Sequence, residues 1–180
     1  MILVISSSLH PNSRSRLLAF AACERLKKMD RPFELLDLVE RPLPFCDGHS
    51  AYGQPGVAEA IDQVQRASAV LLASPVYNFD VNAAAKNLVE LTGRAWNDKV
   101  VGMLLAAGGR GSYMSAMGLA NSLMLDFRCL VVPRFVYAVG DAFDDGQITD
   151  ETALVRVDQL VEETLRISDA VRPADTNPAS

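Results

Sequence analysis

The stretch SSSLHPNSRSR, residues 6–16, gathers Ser6, Ser7, Ser8, Asn12, Ser13 and Ser15, with Arg14 and Arg16 at the start of a helical pattern. Hydroxyls and the free N–H groups of a helix N-terminus can wrap the oxygens of one terminal phosphate, and the helix end adds partial positive charge. The same residue types also cap helices and form turns, so this stretch alone supports an anion site and a purely structural turn equally. It matches neither GxxxxGK[ST] nor GxGxxG, which disfavours a nucleoside triphosphate or a dinucleotide held in the usual way. His10 lies inside the stretch and either donates to an anion or shapes the turn.

Two further stretches carry candidate ligand contacts. In SPVYNFDVNAAAKNLVE (74–90), Pro75 fixes its own φ, while Val76, Tyr77 and Asn78 close a buried apolar run where a ring and an amide can meet a planar ligand. Packing of Tyr77 on the sheet is the alternative. In AAGGRGSYMS (106–115), Gly108, Gly109 and Gly111 flank Arg110 and let the backbone approach a ligand closely or adopt positive φ. On its own this stretch reads better as a turn with no binding role. Together the three describe a pocket for a phosphorylated, planar heterocycle.

Other candidates carry less. His49, in CDGHSAYGQPG (46–56), reads as a surface-loop residue or part of a pocket rim, and with no third histidine a His-based metal site has little support. DAFDDGQITDET (141–152) has the length of a calcium loop, but Phe143 and Thr152 occupy positions that need acids, so it reads as an acidic turn. No GxSxG occurs, which leaves the serine cluster a poor hydrolase nucleophile.

The elements that must position these loops alternate along the chain. MILVIS (1–6), FELLDL (33–38), AVLLASP (69–75), KVVGMLLAA (99–107) and CLVVPRFVYAV (129–139) read as strands, three of them near-continuous apolar runs expected for strands covered on both faces. Helical patterns fall at 15–29, 56–68, 82–94, 112–127 and 149–171. Such alternation implies an α/β fold, a parallel sheet with helices on both sides, and ligands beyond the carboxyl ends of the strands. The three candidate loops follow the first, third and fourth strands. RPADTNPAS (172–180) has the composition of a loose tail, leaving 1–171 as one domain.

Composition narrows the partners. A net charge of −5 without a dense basic patch argues against nucleic acid, and no apolar run is long enough to span a membrane, so a cytoplasmic protein with a small-molecule partner is expected. Cys23, Cys46 and Cys129 are scattered and odd in number, which fits buried free thiols better than disulfides or zinc. Trp96 fits an interface or the core. The segment SYMSAMGLANSLMLDF (112–127) is apolar over more than one face, including Met114, Met117, Leu119, Leu123, Met124 and Phe127, which suggests a subunit contact.

Over most of residues 1–140 the chain resembles the flavodoxin-like NAD(P)H-dependent FMN reductases, which include related quinone, azo-compound and chromate reductases. The stretch at 74–90 is similar to the family's SPEYNxSxPGxLKNxxD and aligns without gaps, matching at Ser74, Pro75, Tyr77, Asn78, Lys86 and Asn87. The GGRG that follows the fourth strand also fits. The resemblance implies a three-layer flavodoxin-like sandwich with five parallel strands in the order 2-1-3-4-5. It further implies that Ser7, Ser13 and Ser15 hold the FMN phosphate, that Pro75, Val76, Tyr77 and Asn78 run along the isoalloxazine, and that Gly108, Gly109, Arg110 and Gly111 contact its pyrimidine side.

Several positions depart from the family pattern. Leu9 and His10 stand where an arginine is common, with Arg14 as its possible substitute; Val76 replaces a Glu, Asn82 and Ala83 replace Pro-Gly, and Glu90 replaces an Asp. The implied activity is transfer of hydride from NADPH or NADH through FMN to a small acceptor such as a flavin or quinone, with flavin N5 and no protein group carrying the chemistry. A homodimer or homotetramer is implied as well. An FMN-binding electron carrier or sensor is the alternative.

Overall fold

The structure is a computed structural model and describes residues 1–171; the segment 172–180, expected as a tail, lies outside the described residues. The main parallel strands are β1 (Ile2–Ser6), β2 (Phe33–Asp37), β3 (Ala69–Tyr77) and β5 (Val100–Ala106), joined at the far edge by the short β6 (Leu130–Val131) and β7 (Val136–Ala138). Across the sheet the order is β2-β1-β3-β5 and then β6 and β7, which is the expected order with the fifth strand split. The sheet therefore has 7 strands, counting β4 (Asp80–Val81), rather than five.

The split has a local cause. Pro133 has no N–H to donate to a ladder, and Arg134 sits at φ 61, so the continuous strand expected over 129–139 breaks at residues 132–135. Similarly, β3 runs two residues past the expected end and turns back into β4 through Asn78 (φ 51) and Phe79 (φ 66), a hairpin turn of the primed kind. The acidic turn expected at 141–152 is also a hairpin: β8 (Phe143–Asp144) pairs with β9 (Gln147–Ile148) through Asp145-Gly146, both at positive φ.

Helices α1 (Arg14–Lys28) and α5 (Glu151–Val171) cover one face; α2 (Pro55–Arg66), α3 (Ala83–Thr92) and α4 (Ala116–Phe127) cover the other. Alternation along each strand divides the core accordingly: Ile2 and Val4 of β1 pack towards α1 and α5, whereas Leu3 and Ile5 pack towards α2, α3 and α4. In β5 the residue facing α5 is Gly102, where an added Cβ would lie 2.8 Å from Thr164 Oγ1 and 2.9 Å from Leu71 Cδ2. Its missing side chain lets the long helix lie close on the sheet.

Each helix begins or ends on recognisable chemistry. Pro55 opens α2, Asn82 caps α3 with its side chain on the Ala85 N–H, and Asp150 Oδ1 accepts from the Thr152 N–H at the start of α5. Trp96 is fully buried with its indole N–H on Thr92 Oγ1 at 2.7 Å, which makes it a core residue. Cys23 and Cys129 are buried thiols, pushed up to about 12 and about 11 chiefly by burial, whereas Cys46 is partly exposed on the loop after β2, contrary to expectation. A segment rich in Pro and Gly surrounds Cys46, and a loop of that kind stays at the surface. Helix α4 buries Leu119, Leu123 and Phe127 but leaves Met117, Met124 and Leu125 exposed.

Candidate functional site

Three adjacent parallel strands bring the candidate loops to one edge of the sheet. Ser6 of β1 is in register with Ala73 of β3, and Pro75 of β3 with Ala106 of β5, so the chain leaves all three at one level. The first loop is the most constrained. Ser7 donates its backbone N–H to the Ala73 carbonyl at 2.9 Å, and its hydroxyl lies 2.8 Å from Asn82 Oδ1 and 3.0 Å from that same carbonyl. Being fully buried and engaged in this way, the Ser7 side chain faces inward, and with its N–H on Ala73 and its carbonyl on Asn82 the residue shapes the loop.

Ser13 and Ser15 stand differently. Ser13 occupies the N-cap of α1, yet its side chain makes no capping hydrogen bond; its Oγ instead lies 2.9 Å from Ser15 Oγ. One proton serves that contact and one hydroxyl proton remains to donate elsewhere. The first turn of α1 contains no acidic residue to offset the positive end of its dipole. His10 is exposed, and its Nδ1 accepts the Asn12 N–H at 3.1 Å, which assigns the ring proton of the neutral form to Nε2. Uncapped helix N–H groups, a free hydroxyl proton and an imidazole donor make a set that suits the oxygens of one phosphate.

The two arginines of this loop divide their roles. Arg16 bonds Asp37 Oδ2 at 2.6 Å, Glu40 Oε1 at 2.9 Å and the Pro11 carbonyl at 3.1 Å, so it ties the loop to the end of β2. Arg14 reaches the other way: its guanidinium lies 5.8 Å from the Phe143 ring centroid, and its Nη1 is 3.2 Å from where a Cβ on Gly140 would stand. It thus borders the third loop, close to the Gly108 carbonyl.

The second loop is the β3–β4 hairpin. Pro75 is buried, Val76 half-buried, and Tyr77 is 56% exposed at the turn beside Asn78. Asn82, which enters the sequence only as a departure from the family pattern, joins this loop to the first. Its Oδ1 lies 3.1 Å from Ser74 Oγ, its Nδ2 donates to the Ser7 carbonyl at 2.8 Å, and its backbone N–H donates to Ser74 Oγ at 3.1 Å. An asparagine immediately before an alanine-rich helix signals a cap; its second use, as a bridge between loops, depends on strand adjacency that sequence does not display. Asn87 has a comparable role at the rim, accepting from the Cys46 N–H at 2.8 Å and donating to the Pro44 carbonyl at 2.9 Å.

The third loop is open. Gly108, Gly109, Arg110 and Gly111 are all exposed, and a Cβ added at any of the three glycines would meet nothing within 4 Å. None of these glycines is at positive φ, so of the two uses expected for them only close approach remains. The loop is anchored through the Ala107 N–H on the Ala138 carbonyl at 2.9 Å and the Tyr137 hydroxyl on the Gly109 carbonyl at 2.6 Å. His49 lies outside this constellation, in the turn that Asp47 caps through the His49 and Ala51 N–H groups; these bonds and the Ser50 hydroxyl hold the Asp47 carboxyl well below the usual carboxylate range.

Known proteins are similar to this chain in sequence and in fold. The family model for NADPH-dependent FMN reductases matches residues 1–144. The chain belongs to that family. An NAD(P)H-dependent FAD/FMN reductase of Geobacillus thermodenitrificans is 29% identical over 138 residues, covering 74% of each chain. An NAD(P)H:quinone oxidoreductase of Solanum tuberosum is 30% identical over 164 residues, covering 85% of this chain and 84% of the relative. Among solved structures, the apo form of an NADH:FMN oxidoreductase superposes with a TM-score of 0.78 at 16% identity, covering 97% of this chain and 91% of the other. A flavoenzyme NAD(P)H:(acceptor) oxidoreductase from Paracoccus denitrificans gives 0.72 at 21% identity, over 92% and 97% respectively. This FMN reductase is accordingly an FMN-dependent NAD(P)H oxidoreductase on a flavodoxin-like fold, and its donor set and open glycine loop fit a phosphate-terminated flavin.

Proposed function

We propose that this FMN reductase passes electrons from NAD(P)H to a small quinone, with the flavin phosphate held by Ser13, Ser15, His10 and the N-terminus of α1. The uncapped start of α1, with a free hydroxyl proton and no acid in its first turn, is the observation that carries this placement. Ser7 fixes the loop through its bonds to Ala73 and Asn82. Pro75, Val76, Tyr77 and Asn78 line one edge of the ring system, and Gly108, Gly109, Arg110 and Gly111 approach its pyrimidine end. FMN held by these residues would supply the two-electron chemistry that links nicotinamide oxidation to reduction of the acceptor.

The protein's own residues position and polarise. Exposed N–H groups along residues 108–111 and the Arg110 guanidinium stand where negative charge develops on the ring system, and fixed donors are most effective there. Arg14, beside Gly140 and near Gly108, adds positive potential on the same side. The open third loop leaves room for the reductant and the acceptor to occupy one place in turn.

The exposed face of α4, where Leu125 is 76% exposed beside Met124, supports a homo-oligomer with this helix at the contact. Free thiols and dependence on NAD(P)H favour a cytoplasmic location, and among the described residues no helix is long and apolar enough to cross a membrane. The quinone reading is tested by rapid mixing. FMN-loaded protein, bleached by NADPH without oxygen, is mixed with either benzoquinone or dioxygen. Recovery of flavin absorbance at least about tenfold faster with the quinone supports the proposal; equal rates contradict it.

A further inference from the structure

A second cavity, of about 860 Å³, lies between the break in the edge strand and the outer face of α5. Its floor is aromatic: Tyr113, which follows the glycine loop, stacks on Phe135 with ring centroids 4.9 Å apart and planes at 30°, and remains 47% exposed. Arg134 and Arg156 line its walls, and no hydrogen bond or ion pair engages either guanidinium among the described residues. The acids of the same wall are already paired, Glu162 with Arg25 and Glu163 with Arg166. In a chain with a net charge of −5, two unpaired guanidiniums beside a stacking surface make a local anion site.

Arg134 is placed there by backbone. It holds φ 61 between β6 and β7, a conformation unfavourable for a residue with a Cβ, and a glycine or asparagine would suit it better if only the turn mattered. The cavity also adjoins the third loop through its aromatic floor. Tyr113 meets Tyr137 edge to face at 5.5 Å, and the Tyr137 hydroxyl holds the Gly109 carbonyl of the third loop. A molecule lying over that loop can therefore continue onto Tyr113.

We propose that this cavity is the adenosine subsite of the reductant, in which the adenine stacks on Tyr113 and the ribose 2′-phosphate is held by Arg134 and Arg156, so that the enzyme selects NADPH over NADH. The inference rests on the reading that a nicotinamide nucleotide enters over the third loop. A planar base with a phosphate is the occupant that uses both features, since an inorganic anion would leave the aromatic floor unused and an uncharged quinone would leave the arginines unused.

The test separates this site from turnover. FMN-loaded protein is titrated calorimetrically with adenosine 2′,5′-bisphosphate and with 5′-AMP, neither of which can reduce flavin, while flavin fluorescence reports separately whether FMN stays bound. Wild-type protein binds the bisphosphate at least about tenfold more tightly, as charge-assisted contacts to one extra phosphate require. Arg134→Gly, which suits the left-handed backbone, and Arg156→Gln, on the exposed side of a helix, each reduce that preference, and together they bring it to within about twofold. Equal affinity of the wild type for the two nucleotides, an unchanged preference in the double variant, or release of FMN by the bisphosphate overturns the proposal. Failure of FMN to bind at all would instead overturn the flavin-site reading.

Discussion

The first and third loops of the site leave the same edge of the same sheet and are built on opposite plans. The first is fastened from behind: Ser7, Ser74 and Asn82 form a buried hydrogen-bonded set that locks it to the β3–β4 hairpin, and Arg16 anchors it to Asp37. The third has three glycines with open space around them and one side-chain tether, from Tyr137 to Gly109. The contrast assigns a separate task to each end of the pocket. A phosphate anchor works best when its donors are fixed in advance, whereas a surface that must admit a nucleotide and then an acceptor works best when it is open. On the proposed placement, rigidity is concentrated at the phosphate seat and withheld where substrates would exchange.

Two substitutions probe that difference. Asn82→Ala has the larger effect, because it leaves the Ser7 carbonyl and the Ala85 N–H in the first turn of α3 short of partners and reduces the Ser7 and Ser74 hydroxyls to their backbone contacts. A loss of about 2 to 3 kcal/mol in urea unfolding is expected, since each buried polar group left unsatisfied costs roughly 1–3 kcal/mol, together with weaker FMN binding. A loss below about 0.5 kcal/mol would show that the two loops are not coupled through this residue. Tyr137→Phe removes only the tether of the third loop. Its stability cost is about 1 kcal/mol or less, and it raises KM for the nicotinamide nucleotide while leaving the dissociation constant of FMN within about twofold. If FMN affinity falls more than KM rises, the third loop is part of the anchor and the division of tasks fails.

Much of the architecture was legible in the chain. Continuous apolar runs at 1–6, 69–75 and 99–107 fall on β1, β3 and β5, and the helical patterns fall on α1 to α5 within a few residues. The departures have local physical reasons. Pro133 and the left-handed Arg134 split the last strand, and a pair of non-glycine residues at positive φ, Asn78 and Phe79, makes a hairpin that carries no Asn-Gly signature. The apolar residues of 112–127 read as spread over more than one face, and Met117 and Met124 do lie on the open side of α4.

The site was legible as a set of loops and less so as a set of atoms. Hydroxyl-rich and glycine-rich stretches announce themselves by composition. Which serine keeps a proton does not: the Ser7 hydroxyl has acceptors in Asn82 and the Ala73 carbonyl, whereas the buried Ser13–Ser15 pair leaves one proton to donate and Ser8 Oγ accepts from the His10 N–H. That assignment requires knowing that β1 and β3 are neighbours in register. Asn82 illustrates the general case, since a residue that bridges two loops across 75 positions of sequence carries no local mark of its second partner.

The central claim is that Ser13, Ser15 and the start of α1 form the phosphate seat, and comparing FMN with riboflavin tests it most directly. The two share a ring system and differ in the phosphate, so the ratio of their dissociation constants isolates the anchor. Fluorescence titration of the flavin-free protein should give FMN at least about a hundredfold tighter than riboflavin, consistent with a few charge-assisted hydrogen bonds. In the Ser13→Ala/Ser15→Ala double variant the ratio should fall by about tenfold or more through weaker FMN binding, with riboflavin unchanged and Cys46→Ala, as a control, retaining the wild-type ratio. If the double variant keeps the wild-type ratio, or the wild type binds riboflavin as tightly as FMN, the phosphate is seated elsewhere.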